Sequence, residues 1–243
     1  MTVIRSYSNS PAYNLALEEL LFSMFESDFL LFYVNAPSVV LGSNQALKNE
    51  VNVGFCDANQ VSVVRRKSGG GAVYHDLGNL NFSFIRTNNQ ANSLINAEFL
   101  QPVVAWLFEL GMEATIGERK DLWTKDGYKI SGTASLVRKS RVLQHGTLLF
   151  DTNQQMLSNA LAVKEPDLTL KATASVRSKT KNMRSYLEEQ RCVSVGMDEF
   201  VQELVSAASR QYNCDVLTEL EFDQTKIALL EEHYRQAEWT NKK

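Results

Sequence analysis

The 243 residues carry 25 Lys and Arg against 28 Asp and Glu, with 44% hydrophobic and 9% aromatic residues. That composition excludes a disordered, collagen-like or low-complexity chain and leaves no bulk positive field for holding nucleic acid. No run approaches the ~18 apolar residues that a membrane span needs, and the first ten positions show no basic-then-apolar leader.

Ser10-Pro11 reads as a helix N-cap with proline at the first helical position, opening a helix over 12–27 with Leu17, Leu20, Leu21 and Met24 at helical spacing. The β-prone runs 29–34 and 38–41 flank Asn35-Ala36-Pro37, which predicts a hairpin. A short helix is expected over 51–59 and a strand over 61–64. That strand runs into Arg65-Arg66-Lys67-Ser68-Gly69-Gly70-Gly71, and strands over 72–74 and 81–85 come next. A helix is expected over 92–110. Strands at 122–124 and 129–137 flank Asp126-Gly127, the pair a type I′ turn prefers. A further strand covers 142–150, and from 152 onward the pattern is mainly helical. Strands gather first and helices afterwards, joined by hairpins rather than by βαβ alternation. The expected class is therefore α+β, with a mixed, largely antiparallel sheet flanked by helices. No internal repeat or Gly/Ser- or Pro-rich linker divides the chain, so one domain over 1–243 is expected.

Three cysteines, Cys56, Cys192 and Cys214, stand in no CxxC spacing and make neither a disulfide framework nor a zinc site. A reducing cytosol is the simplest setting. Charge is uneven: 119–191 is rich in Lys and Arg, whereas 198–238 is mostly acidic. A locally basic middle suits a small anion or an acidic protein partner, or else it is a solvated face.

The glycine run sits between two strands and follows Arg65, Arg66 and Lys67. Successive glycines let backbone approach a ligand, their N–H groups can form an anion nest, and the adjacent cations neutralise phosphate. No GxxxxGK[ST] occurs, and no helix starts after Gly71 as a dinucleotide fingerprint requires. The plain alternative is a sharp, flexible hairpin.

The segment from Arg65 through Ser68-Gly69-Gly70-Gly71-Ala72-Val73-Tyr74-His75-Asp76 to Asn79 resembles the signature loop of lipoate–protein ligases and lipoyltransferases. Asp121-Leu122 with the Asp126-Gly127 turn and Lys129-Ile130-Ser131-Gly132-Thr133-Ala134-Ser135 is similar to that family's second motif. Gln144-His145-Gly146-Thr147-Leu148-Leu149 resembles the third, and Lys171-Ala172-Thr173-Ala174-Ser175-Val176-Arg177-Ser178 the fourth. Tyr13-Asn14-Leu15-Ala16-Leu17-Glu18 and Pro37-Ser38-Val39-Val40-Leu41-Gly42 match the opening. The matches keep family order across 3–178.

The resemblance implies a biotin/lipoate protein ligase-like catalytic domain that activates lipoic acid with ATP and Mg²⁺ to lipoyl-AMP. The lipoyl group then passes to a lysine of an apo lipoyl domain, in a 2-oxoacid dehydrogenase E2 subunit or the glycine cleavage H protein. It further implies that Lys129 is the catalytic cation between carboxylate and α-phosphate. Arg66, Ser68, Gly69, Gly70, Gly71, Ala72, Val73, Tyr74, His75, Asn79, Arg119, Asp121, His145, Thr147, Thr173 and Ala174 would line the nucleotide and lipoyl-AMP site. Asp121 is the metal candidate. Apolar residues near Leu15, Val39 and Val40 would suit the acyl tail. His75 and His145 read as organisers, because transfer from an adenylate needs no strong base. Lys120 stands where the family has asparagine. Longer members continue past a Trp-Glu-Trp-like segment into an accessory domain; here Glu238-Trp239 is followed only by four residues, so that domain is expected to be absent. The alternatives are transfer of preformed lipoyl-AMP only, adenylation with a separate accessory-domain protein, or octanoyl or lipoyl transfer through a cysteine thioester.

Overall fold

In the computed structural model residues 1–87, 97–163, 167 and 172–242 are described. The start of the helix expected over 92–110, and Lys171 of the fourth motif, lie outside them. β1 (Thr2–Arg5) leads to α1 (Pro11–Met24), where Ser10 accepts from the Tyr13 N–H at 3.2 Å and Pro11 presets the first turn. β2 (Phe29–Val34), β3 (Ser38–Leu41), α2 (Leu47–Glu50), α3 (Val53–Ala58) and β4 (Ser62–Arg65) precede the glycine loop. β5 (Val73–His75) and β6 (Asn79–Thr87) follow it. A 3-10 turn at Ala97–Leu100 runs into α4 (Gln101–Glu109). Next come β7 (Thr115–Ile116), β8 (Leu122–Trp123), β9 (Lys129–Ser131), β10 (Thr133–Arg138) and β11 (Arg141–Leu149). α5 (Gln154–Ala160), α6 (Arg184–Arg191), α7 (Met197–Tyr212), β12 (Val216–Thr218), α8 (Gln224–Arg235) and α9 (Ala237–Thr240) complete the order. No helix among the described residues is long and apolar enough to cross a membrane.

The class is α+β, as expected. A six-stranded sheet runs β10-β11-β6-β2-β1-β12, antiparallel as far as β2 and parallel where β1 meets β2 and β12. Two small sheets, β4-β3-β5 and β7-β8-β9, stand beside it. Three local expectations are corrected. The runs 29–34 and 38–41 form no hairpin, because β2 pairs with β1 and β6 while β3 pairs with β4 and β5. The Asp126-Gly127 corner is not type I′: of that pair only Gly127 has positive φ, at 80°, and its N–H donates to the Thr124 carbonyl. The strand expected over 129–137 is broken at Gly132, where the chain leaves β9 in a small sheet for β10 in the large one. Gly132 is held there by Thr147, whose N–H donates to the Gly132 carbonyl at 3.0 Å and whose hydroxyl accepts the Gly132 N–H at 3.1 Å.

The core sits on both faces of the large sheet. Leu30 and Phe32 of β2, Phe82 and Phe84 of β6 and Leu148 of β11 meet Trp106 of α4 and Phe200 and Leu204 of α7. On the opposite face Phe29, Leu31, Ile85 and Leu143 meet Leu17 and Leu21 of α1 and Ile227 of α8. This second face turns polar along β6 and β11, at Asn81, Ser83, His145 and Thr147, all of them buried. α5 and α3 close a third cluster around Val39, Leu41, Cys56 and Tyr74.

Candidate functional site

The polar end of the second face opens into a cleft with two lobes of about 340 and 510 Å³. The first is walled by Leu15, Tyr33, Val40, His75, Asn81 and His145. The second is walled by Glu50, Tyr74, Leu149, Gln154, Leu157 and Thr180. Lys129, Gly132 and Thr147 border both, as do Ala72 and Val73 after the glycine loop and Thr173–Val176 opposite them. Lys129 therefore stands at the waist.

Three features place its ammonium. The Lys129 N–H donates to the Lys179 carbonyl at 2.9 Å, and its own carbonyl accepts the Lys181 N–H at 3.2 Å, which holds the strand. Gly132 leaves open the space beside Nζ, since a Cβ built there would lie 3.9 Å from it. Asp121 Oδ2 lies 3.0 Å from Nζ, an ion contact too poorly aligned to count as a hydrogen bond. Asp121 Oδ1 accepts the Trp123 indole N–H at 2.8 Å.

The glycine loop is ordered from within. Arg66 is buried, and its guanidinium donates to Ser68 Oγ and to the carbonyls of Val40, Gly69 and Gly71 at 2.6–2.9 Å. Burial lowers its pKa to about 10, against which Glu18 and then Tyr33 act, so it stays cationic at neutral pH. Gly70 adopts φ +84°, and the Gly70 carbonyl approaches Gly42 so closely that a Cβ there would stand 2.1 Å away. Across the loop, Ser175 Oγ accepts the Ala72 N–H and the Gln45 side-chain amide, both at 2.9 Å.

His145 Nδ1 lies 2.9 and 3.1 Å from the Glu18 carboxyl oxygens, and its Nε2 lies 2.7 Å from Ser68 Oγ. Ser83 donates to Glu18 at 2.5 Å. The order Ser–His–Glu looks like a nucleophile relay, but Ser68 is 1% exposed, does not border the cleft and accepts from Arg66. The chain ties α1 to the loop. His75 is held neutral: burial first, then Arg66 and His145, lower its pKa to about 3.

Of the positions named from the sequence, Arg66, Gly70, Gly71, Ala72, Val73, His75, Arg119, Asp121, Lys129, His145, Thr147, Thr173 and Ala174 gather around the first lobe, and Tyr74 borders the second. Ser68, Gly69 and Asn79 do not border either lobe; Ser68 and Asn79 are buried behind it. Leu15 and Val40 wall the first lobe, whereas Val39 alternates away into the third core cluster. Cys56, Cys192 and Cys214 are free thiols and none borders the cleft. Sequence reading missed Glu18, Asn35, Asn81 and Ser175. For the first there was a signal: Asn14 and Glu18 sit one turn apart, polar, among residues of α1 that are otherwise apolar where the helix is buried. Among the described residues no three His, Cys, Asp or Glu converge as a metal site requires, and both Asp121 oxygens already face Trp123 and Lys129.

Residues 10–209 match the family model for the lipoyl protein ligase A/B catalytic domain. Lipoate-protein ligase LplJ of Bacillus subtilis is 44% identical over 185 residues, covering 75% of this chain and 55% of that protein. The chain thus spans about half the length of the curated relatives it matches first. A putative lipoate protein ligase of T. acidophilum, solved with bound lipoic acid, superposes with TM-score 0.78 at 27% identity, over 99% of this chain and 98% of that one. A lipoate-protein ligase A structure bound with ATP gives the same score, identity and coverage.

Proposed function

The chain belongs to the lipoyl protein ligase A/B catalytic-domain family, and from that premise we propose that its cleft joins a lipoyl-type carboxylic acid to AMP and passes the acyl group to a protein lysine. The observation that carries the reading is Lys129, the one side chain cation bordering both lobes among the described residues, with its ammonium beside a glycine-opened space. The acyl chain lies in the first lobe against Leu15 and Val40, and the nucleotide in the second, past Ala72 and Val73. Lys129 leaves Asp121 to bridge the acid carboxylate and the α-phosphate. A carboxylate oxygen attacks the α-phosphorus, the bond to pyrophosphate breaks, and pyrophosphate leaves. The acceptor amine then attacks the acyl carbon, the carbon–oxygen bond to AMP breaks, and the amine proton goes to solvent. Both steps gather negative charge at one carboxyl-phosphate junction, so a fixed ammonium and a pre-ordered loop supply most of what the protein contributes. Arg66 acts on the loop rather than on phosphate, because its donors hold loop carbonyls. Asp121 keeps Lys129 in place between turnovers.

The acceptor class is an apo lipoyl domain. Purified protein is incubated with that domain and either lipoate with Mg-ATP or synthetic lipoyl-AMP, and the acceptor is weighed intact by mass spectrometry. A lipoyl adduct in both mixtures supports the full reaction. An adduct with lipoyl-AMP alone confines the chain to the transfer step. No adduct in either ends the proposal.

A further inference from the structure

We propose that His75 sets acyl specificity by presenting a fixed Nε2–H donor to the first lobe, which favours a chain ending in a sulfur-bearing ring over an equally long plain alkyl chain. The inference rests on the acyl-binding reading given above.

A hydrogen-bond chain anchored at a backbone carbonyl fixes where the proton sits. The Ser8 carbonyl can only accept, and it takes a hydrogen bond from Asn14 Nδ2 at 2.8 Å. That assigns the Asn14 amide, whose Oδ1 accepts the Ser6 hydroxyl at 2.7 Å. The same Nδ2 donates to Asn35 Oδ1 at 2.9 Å. Asn35 therefore turns its own Nδ2 toward His75, and His75 Nδ1, 3.0 Å away, must be the acceptor. The ring proton is left on Nε2. That nitrogen is buried in a residue only 4% exposed, finds no partner among the described residues, and belongs to a side chain walling the lobe with Leu15 and Val40.

An unpaired donor on a side chain that walls the lobe together with Leu15 and Val40 discriminates in one direction. A ring sulfur is a weak acceptor that can take the N–H, whereas a terminal methyl keeps it dry and unpaired. His75 borders the first lobe alone, whereas Lys129 borders both.

Two measurements test this. First, kcat/KM for modification of an apo lipoyl domain is compared between lipoate and octanoate, in the unaltered protein and in His75→Phe. We expect lipoate to be preferred, and the preference to fall about tenfold in the variant, the size of one weak hydrogen bond. Second, ¹⁵N NMR of the unaltered protein, independent of how the variant folds, should show the Nε2–H tautomer of His75, with its proton shifting on lipoate and much less on octanoate. An Nδ1–H tautomer, an equal response to both acids, or an unchanged preference in folded His75→Phe overturns the His75 proposal while leaving the acyl site standing. Binding of neither acid to the unaltered protein overturns the acyl site and this inference with it.

Discussion

On one face of β6, Phe82 and Phe84 press against Phe99 and Trp106; on the other, one residue along, Asn81 and Ser83 meet Tyr33, Glu18 and His145. The strand is the same and both faces are buried. The aromatic face is held by area and shape: Phe84 stacks on Trp106 at 6.2 Å and meets Phe82 and Phe99 edge-on. The polar face is held by hydrogen bonds that must each find a partner, since a buried polar group without one costs on the order of 1–3 kcal/mol. Alternation at period two lets one strand supply the support and the site at once. Damage to the first face should therefore act on stability, and damage to the second on chemistry.

The largest expected break of that division is Phe84→Ala. Cavity formation should cost about 3–5 kcal/mol in denaturant unfolding, while ligand affinity per folded molecule holds. If binding fell as steeply as stability, the faces would not be separable. Next is Lys129→Ala. It should lower acyl transfer about a hundredfold, on the order of 3 kcal/mol of transition-state stabilisation. Lys129→Arg should not restore it, because a planar guanidinium does not occupy the place of a compact ammonium. The single change also strips buried Asp121 of its cation, so some stability is lost; adding Asp121→Asn should recover the stability and none of the rate.

Smaller at each step of one pH unit is an effect at His75 of β5, which borders the cleft. Burial, with Arg66 and His145 acting in the same sense, holds His75 near 3, below its ordinary 6.5. A folded pKa below the unfolded one means the neutral ring contributes fully above 6.5 and loses that contribution as pH falls toward 3. Stability should drop by up to about 1.4 kcal/mol per pH unit in that window, read from guanidinium midpoints, and His75→Phe should flatten the slope. Smallest is Lys120→Asn. Lys120 sits at φ +61°, a left-handed conformation that asparagine tolerates better, so the variant should gain a few tenths of a kcal/mol in thermal unfolding.

Much of the site was readable because its residues fall in contiguous motifs. Lys129, Gly132 and Thr147 were found that way, and the alternation Asn79, Leu80, Asn81, Phe82, Ser83, Phe84 carries both faces in plain sequence. What escaped is what distance along the chain conceals. Asn35 was read as part of a turn because Pro37 follows it, yet the chain there changes sheets, and Asn35 serves the buried hydrogen-bond chain instead. Glu18 sits on a helix and acts through a histidine 127 positions later. β12 was absorbed into a helical reading because three residues, Val216–Thr218, carry too short a pattern to outweigh their neighbours.

β12 also bears on how the chain comes off the ribosome. β1 lies between β2 and β12, and the register joins Val3 to Leu30 on one side and to Val216 on the other. The first partner is synthesised almost at once; the second, Val216, lies more than two hundred positions further along the chain. Until Val216 emerges β1, with Val3 and Ile4 destined for full burial, is an open edge carrying unpaired backbone groups. Neighbouring nascent chains on one message would expose the same edge together, and parallel closure over so long a loop is slow. Codon choice or chaperone capture in the final stretch before Val216 thus becomes a lever on yield, acting far from any residue of the cleft.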